Sequence, residues 1–120
     1  MKNNKSWDRY KLKEICNFMY GKGLPKKDRV IGEYPVYGSS GIVDYHENYF
    51  IKGPGIIVGR KGSIGSVFYE NNNFYPIDTV YYVEENKKVY KKYLYYLLKN
   101  MPLKQLNSDA AVPGLNRNFA

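Results

Sequence analysis

Two residue types are nearly missing from this 120-residue chain, which has one cysteine, Cys16, and one histidine, His46. A lone cysteine excludes an internal disulfide, so the chain reads as one made for a reducing, cytoplasmic setting. One Cys and one His cannot supply the four ligands of a usual zinc site. A thiol–imidazole pair would be their remaining use. Cys16 lies in Glu14-Ile15-Cys16-Asn17-Phe18, however, which reads as core, where free thiols are generally inert. No apolar run is long enough to span a bilayer. Met1 to Lys5 is polar and no apolar stretch follows, so no signal peptide is visible. Acidic residues are also scarce: 11 Asp plus Glu face 19 Lys plus Arg, for a net charge of +8. Such an excess on a small domain suits a polyanionic partner.

What is present is enough apolar material to fold, 43% of residues, with an aromatic share of 17% carried by 14 tyrosines. Tyrosine packs its ring on a half-buried sheet and keeps its hydroxyl wet, so most of these read as strand-face residues. The length allows one core, and with no repeat or linker residues 1–120 read as a single domain.

Basic residues crowd the front, from Lys2 to Arg29, interleaved with Trp7, Tyr10, Leu12 and Ile15. Trp7 is expected to anchor a strand or helical turn. Tyr20 to Asp28 reads as a flexible loop, punctuated by Gly21, Gly23 and Pro25. Short strand-like runs follow at Tyr34–Tyr37, Ile42–Tyr45, Ile56–Val58, Ser66–Tyr69 and Thr79–Val83. Between them stand Gly38-Ser39-Ser40-Gly41, a polar bend at His46–Asn48, the turn Gly53-Pro54-Gly55, the glycine loop Gly59–Gly65 and Asn71–Asn73. From Asn86 to Met101 the apolar residues Val89, Tyr90, Tyr93, Leu94, Leu97, Leu98 and Met101 fall on one helical face, and Pro102 ends the helix. Lys87, Lys88, Lys91, Lys92 and Lys99 lie near the other face. They read as the solvated side of a helix that covers a sheet, rather than as a membrane-surface helix.

Three chemistries are weighed against the motifs. Gly59, Gly62 and Gly65 are spaced three apart, which matches neither the dinucleotide fingerprint nor the P-loop. With Arg60, Lys61 and Ser63, that loop still offers close backbone amides, two cations and a hydroxyl, a set that suits a DNA phosphate. A polar turn between strands is the plainer reading, and residue types alone do not separate the two. A methyltransferase needs a catalytic Asn- or Asp-Pro-Pro-aromatic loop, but Pro25, Pro35, Pro54, Pro76, Pro102 and Pro113 are never adjacent. A magnesium-dependent nuclease finds one foothold, Pro76-Ile77-Asp78 followed by Glu85-Asn86-Lys87. Asp78 and Glu85 bracket one strand, about 20 Å apart in extended geometry, too far to share a metal.

At Tyr34-Pro35-Val36-Tyr37-Gly38-Ser39-Ser40-Gly41-Ile42 and Gly59-Arg60-Lys61-Gly62-Ser63-Ile64-Gly65 the chain resembles the target recognition domain of type I restriction–modification specificity subunits. The likeness continues, in the family's order, through Trp7–Gly21, Asp78–Val83, Tyr93–Leu98 and Ala111–Arg117. The resemblance implies an α+β fold with a twisted, partly closed, mostly antiparallel sheet and a few helices. It implies sequence-specific binding of double-stranded DNA, one half of a bipartite target, with no catalysis and no cofactor. Methylation would use S-adenosylmethionine held by partner methyltransferase subunits, and restriction subunits would join the complex. In that family a spacer helix follows the closing segment, and the chain, ending at Ala120, is expected to lack it. A recognition-domain fragment of a fused restriction–methylation enzyme is the alternative that the same resemblance allows.

Site expectations follow from this reading. Arg60, Lys61 and Ser63 would contact phosphates and set register. Lys22, Lys26, Lys27 and Arg29 would lie along the DNA on a mobile loop, and Arg117 belongs to the same surface. Tyr37, Ser39 and Ser40 would reach base edges.

Overall fold

The strand Gly55–Gly59 reads Gly-Ile-Ile-Val-Gly, and all five of its residues are buried. A run so continuously apolar belongs at the centre of a sheet covered on both faces. A computed structural model, which describes residues 16–85, 90–101 and 103, puts it there. The strands in chain order are β1 (Cys16–Tyr20), β2 (Ile31–Gly38), β3 (Gly41–His46), β4 (Gly55–Gly59), β5 (Val67–Glu70), β6 (Tyr75–Pro76) and β7 (Val80–Glu85). A 3-10 turn at Lys26–Asp28 precedes β2, and one α-helix, α1 (Lys91–Lys99), follows β7.

The strands form two open sheets. Four lie in the order β1-β7-β4-β5, all antiparallel, and three in the order β3-β2-β6, with β2 and β6 parallel. Alternation along β4 and β7 divides the core in two. Ile56, Val58, Tyr81 and Val83 face α1, where they meet Phe18, Val67, Leu94 and Leu98. Ile57 and Val80 face the other way, onto Tyr37 of β2 and Phe74. The class is thus α+β and mostly antiparallel, in two sheets where the sequence pointed to one partly closed sheet.

Helix α1 starts later than its periodicity implies. Tyr90 stands just before it with extended backbone (φ −70°, ψ 134°) and is 84% exposed. Leu94 and Leu98 are fully buried, while Tyr93 and Tyr96 face solvent. The seam that anchors the helix is therefore an i, i+4 pair of leucines, narrower than the stripe of seven apolar residues. Truncating either leucine to alanine should cost about 2–5 kcal/mol. Residues 86–89, where the helix was expected to begin, lie outside the described residues, as do Trp7 and the basic residues before Cys16.

Two strands are additions to the sequence reading. β1 extends the segment read only as core, and β6 is a two-residue strand whose second residue is Pro76. β2 also begins three residues before Tyr34, with register irregularities between Ile31 and Tyr34 and between Val36 and Tyr37.

Candidate nucleic-acid interface

Strand register gathers the polar turns at one end of the molecule. In the larger sheet Tyr20 pairs with Tyr81, Gly59 with Val80 and Val58 with Val67. In the smaller sheet Gly38 pairs with Gly41 and Tyr37 with Pro76. The segment after β1, the Ser39-Ser40 hairpin, the 60–66 loop and the 77–79 turn therefore all leave their strands together.

The glycine loop is tightly built. Gly59 N–H donates to the Ser66 carbonyl at 2.8 Å, and Gly65 N–H to the Gly59 carbonyl at 3.0 Å. Arg60 and Lys61 N–H both donate to the Thr79 carbonyl, at 2.9 and 3.1 Å, which ties the loop to the start of β7. Glycine is required where the chain doubles back. A Cβ on Gly59 would fall on the Ser63 carbonyl oxygen, and Gly62 has φ +78° with Ser39 Oγ only 2.9 Å from where its Cβ would stand. Ser63 N–H donates to Ser39 Oγ at 3.2 Å, and Ser66 Oγ donates to the Ser39 carbonyl at 2.7 Å. Two glycine-rich turns from different sheets are thereby joined by bonds spanning 24 and 27 residues.

Arg60 braces this joint. Its Nη2 donates to the Asp78 carbonyl at 2.7 Å, and its guanidinium carbon stands 4.9 Å from the Tyr20 ring centroid and 5.8 Å from that of Tyr81. Burial pushes the Tyr81 phenol up to about 12, with Tyr20 adding to the rise and Arg60 opposing it. Around this brace Lys61, Ser63 and Ser40 are exposed, and Ser39 is half-buried.

The other expected site residues fare differently. Tyr37 is not at the surface: it is 5% exposed and its hydroxyl donates to Glu70 Oε1 at 2.7 Å. Burial first, then the hydrogen bond to Glu70, hold that phenol well above its usual range. Tyr37 is therefore a core residue: the end of β2, from Pro35 to Gly38, is buried throughout, and the ring packs against Phe68 and Phe74. Arg29 is likewise turned inward, its Nε donating to the Leu24 carbonyl at 3.0 Å and its Nη1 3.5 Å from Asp44 Oδ2. The loop expected to be mobile is tied down by those bonds and by Lys22 N–H donating to the Pro76 carbonyl at 2.9 Å. Lys22 places its ammonium 5.7 Å from the Phe50 ring centroid, and Lys26 and Lys27 are exposed on the 3-10 turn. Arg117 lies outside the described residues.

Tyr20, Ser66, Asp78 and Thr79 belong to the site and escaped the sequence reading. Ser66 repeats the Gly-Ser pattern of the loop, which was the available signal. Asp78, weighed as a metal ligand, instead offers its carbonyl to Arg60, and Glu85 closes the far end of β7. Among the described residues no three His, Cys, Asp or Glu side chains are placed to hold a metal together. Cys16 and His46 sit in different sheets, and His46 Nδ1 accepts from Val30 N–H at 2.9 Å.

The chain is similar to known proteins in sequence and in fold. A family pattern described as the type I restriction modification DNA specificity domain matches residues 4–117. A protein named as a type I restriction enzyme specificity subunit of Haemophilus influenzae is 30% identical over 96 residues, covering 75% of this chain and 25% of that one. Another, named as a type I specificity subunit of Mycoplasma pneumoniae, is 27% identical over 115 residues, covering 90% and 32%. This chain thus spans between a quarter and a third of the length of these relatives. The crystal structure of a type I restriction–modification S subunit from M. genitalium superposes with a TM-score of 0.68 at 24% identity, over 83% of this chain and 29% of that one. An S subunit from Thermoanaerobacter tengcongensis gives 0.56 at 14% identity, over 79% and 29%. At those identities the structural likeness is one of fold. No helix among the described residues is long and apolar enough to cross a membrane. With the family pattern matched over nearly its full length, the chain belongs to the type I restriction–modification DNA specificity domain family.

Proposed function

We propose that this chain is a single recognition domain that binds duplex DNA and reads a short base sequence, one half of a bipartite target. In this reading it catalyses nothing, holds no cofactor and acts in the cytoplasm. Bond-making is left to methyltransferase subunits that hold S-adenosylmethionine, and cleavage to restriction subunits. The observation that carries the proposal is the meeting of two glycine-rich turns at one end of the fold, with Lys61, Ser63 and Ser40 exposed beside them. Membership in the family and a net charge of +8 support it. Lys61 and Ser63 contact phosphates, and the hairpin tip approaches base edges in a groove. Lys22, Lys26 and Lys27 add sequence-independent attraction at the flank. Arg60 serves chiefly as the brace of the loop.

The test is binding of a random-sequence duplex pool, followed by fluorescence anisotropy across a range of salt, with magnesium and S-adenosylmethionine present. The expected result is saturable binding whose affinity falls steeply as salt rises, with neither nicked nor methylated product. Magnesium-dependent cleavage that disappears in Asp78→Ala would overturn the non-catalytic reading. Absence of duplex binding at low salt would overturn the DNA reading itself.

A further inference from the structure

The serines of the hairpin, adjacent in sequence and alike in chemistry, have opposite surroundings. Ser39 is half-buried and used twice: its Oγ accepts from Ser63 N–H at 3.2 Å and its carbonyl accepts from Ser66 Oγ at 2.7 Å. The same Ser66 hydroxyl lies 2.9 Å from the Ser63 carbonyl. One serine from the smaller sheet and two from the larger thus form a closed latch. Gly62 makes room for it, since a Cβ there would stand 2.9 Å from Ser39 Oγ. Ser40 is exposed at the tip of the turn, next to Gly41, whose φ of +115° completes the tight reversal.

We propose, resting on the DNA reading above, that the two glycine-rich turns work as one rigid reading head, in which Ser39 and Ser66 are positioning residues and Ser40 meets a base edge. The physical reason is registration. A phosphate contact from Lys61 or Ser63 fixes where the protein sits on the duplex but carries no sequence information. A base contact discriminates only if its reader is held at a fixed offset from that phosphate. The latch supplies the offset, because it ties the phosphate-binding loop to the base-reading hairpin across the gap between two sheets. Without it, each turn would still approach DNA, but their separation would vary from one encounter to the next. Hydroxyls rather than charges suit the task, since neutral hydrogen bonds hold the turns together without competing with Lys61 for phosphate.

The proposal separates three residues that sequence alone would treat alike. The full chain is selected on a random-sequence duplex pool, and the enriched motif is read by sequencing for wild type, Ser39→Ala, Ser39→Thr, Ser66→Ala and Ser40→Asn. Ser40→Asn is expected to alter preference at one or two adjacent positions, with a change of about tenfold in discrimination there and the rest of the motif kept. Ser39→Ala and Ser66→Ala are expected to flatten the motif across all its positions, with a smaller loss of affinity for the unselected pool than Lys61→Ala causes. Ser39→Thr, which keeps the hydroxyl, should restore the motif. Hydrogen exchange on the free protein gives a readout that needs no DNA. The Ser63 amide should exchange at least severalfold faster in Ser39→Ala and return to the wild-type rate in Ser39→Thr, and if threonine disturbs the turn, acceleration in Ser66→Ala provides the same check from the other side. An unchanged motif in Ser39→Ala and Ser66→Ala, or an unchanged one in Ser40→Asn, would overturn the assignment. Coupled exchange without any DNA selection by wild type would leave the latch standing and remove the reading built on it.

Discussion

Two basic stretches of this chain, Lys22 to Arg29 and the glycine loop, place their cations in different ways. Lys22 to Arg29 holds four cations, but Arg29 spends its guanidinium on Leu24 and Asp44, with a side chain only 15% exposed, and Lys22 lies against Phe50. The glycine loop holds just Arg60 and Lys61, and its backbone is bonded to Thr79 ahead of β7, to Ser39 of the neighbouring hairpin and within itself. Charge counted along a sequence therefore does not say which cations are open to a ligand. The loop presents Lys61 and Ser63 on a backbone already bonded in place, so less ordering cost would fall on a ligand bound there.

The comparison breaks most completely at Gly62. A valine there would need a left-handed backbone and would drive its Cβ against Ser39 Oγ, a strain of about 1–3 kcal/mol. Duplex affinity measured by anisotropy should fall roughly 10-fold or more, and selectivity with it. Next in size is Tyr37→Phe, which withdraws one of the three donors to the buried Glu70 carboxylate, the others being Asn72 N–H and Nδ2. Denaturant unfolding should show a loss of about 1–3 kcal/mol with the selected DNA motif unchanged. A changed motif would return Tyr37 to the reading surface.

The same phenol predicts a pH dependence. Its value is raised in the folded state above the ordinary 10.0, so its contribution to stability is complete below pH 10 and is lost as pH rises beyond it. Tyr37→Phe should lose less stability than wild type on going above pH 10. Lys61→Ala comes next: affinity should weaken for all sequences alike, and the logarithmic salt slope should shrink by about 0.9. The smallest effect belongs to Arg29→Ala, about 0–1 kcal/mol of stability, with the salt slope unmoved. A slope change equal to that of Lys61→Ala would show that Arg29 leaves Asp44 for DNA.

Much of the fold was legible because alternation and punctuation are local. Ile56–Val58, Ile42–Tyr45 and Thr79–Val83 announce strands through β-branched and aromatic residues, the first two opened by a glycine and the third bounded by Asp78 and Glu84. Gly62 stood out in the same way, through spacing. What was hidden depends on which elements meet. β6 is two residues long and exists because β2 lies beside it. Arg60, expected at phosphate, also holds the carbonyl of Asp78, 18 residues away, at 2.7 Å, a contact no local pattern announces. Tyr37 and Ser40 belong to one polar, aromatic turn motif in sequence, yet Tyr37 sits in the buried end of β2 and Ser40 at the exposed tip of the turn. The Ser39–Ser63–Ser66 latch joins two sheets and has no trace in either segment read alone.

The contrast between the two basic stretches is tested most directly by hydrogen exchange of the chain with and without a random-sequence duplex pool. The account predicts that DNA slows exchange at Gly59–Ser66 and at Ser39–Gly41 together, and leaves Lys22–Arg29 much less affected. Protection confined to Lys22–Arg29, with the glycine loop exchanging as in the free protein, would contradict it.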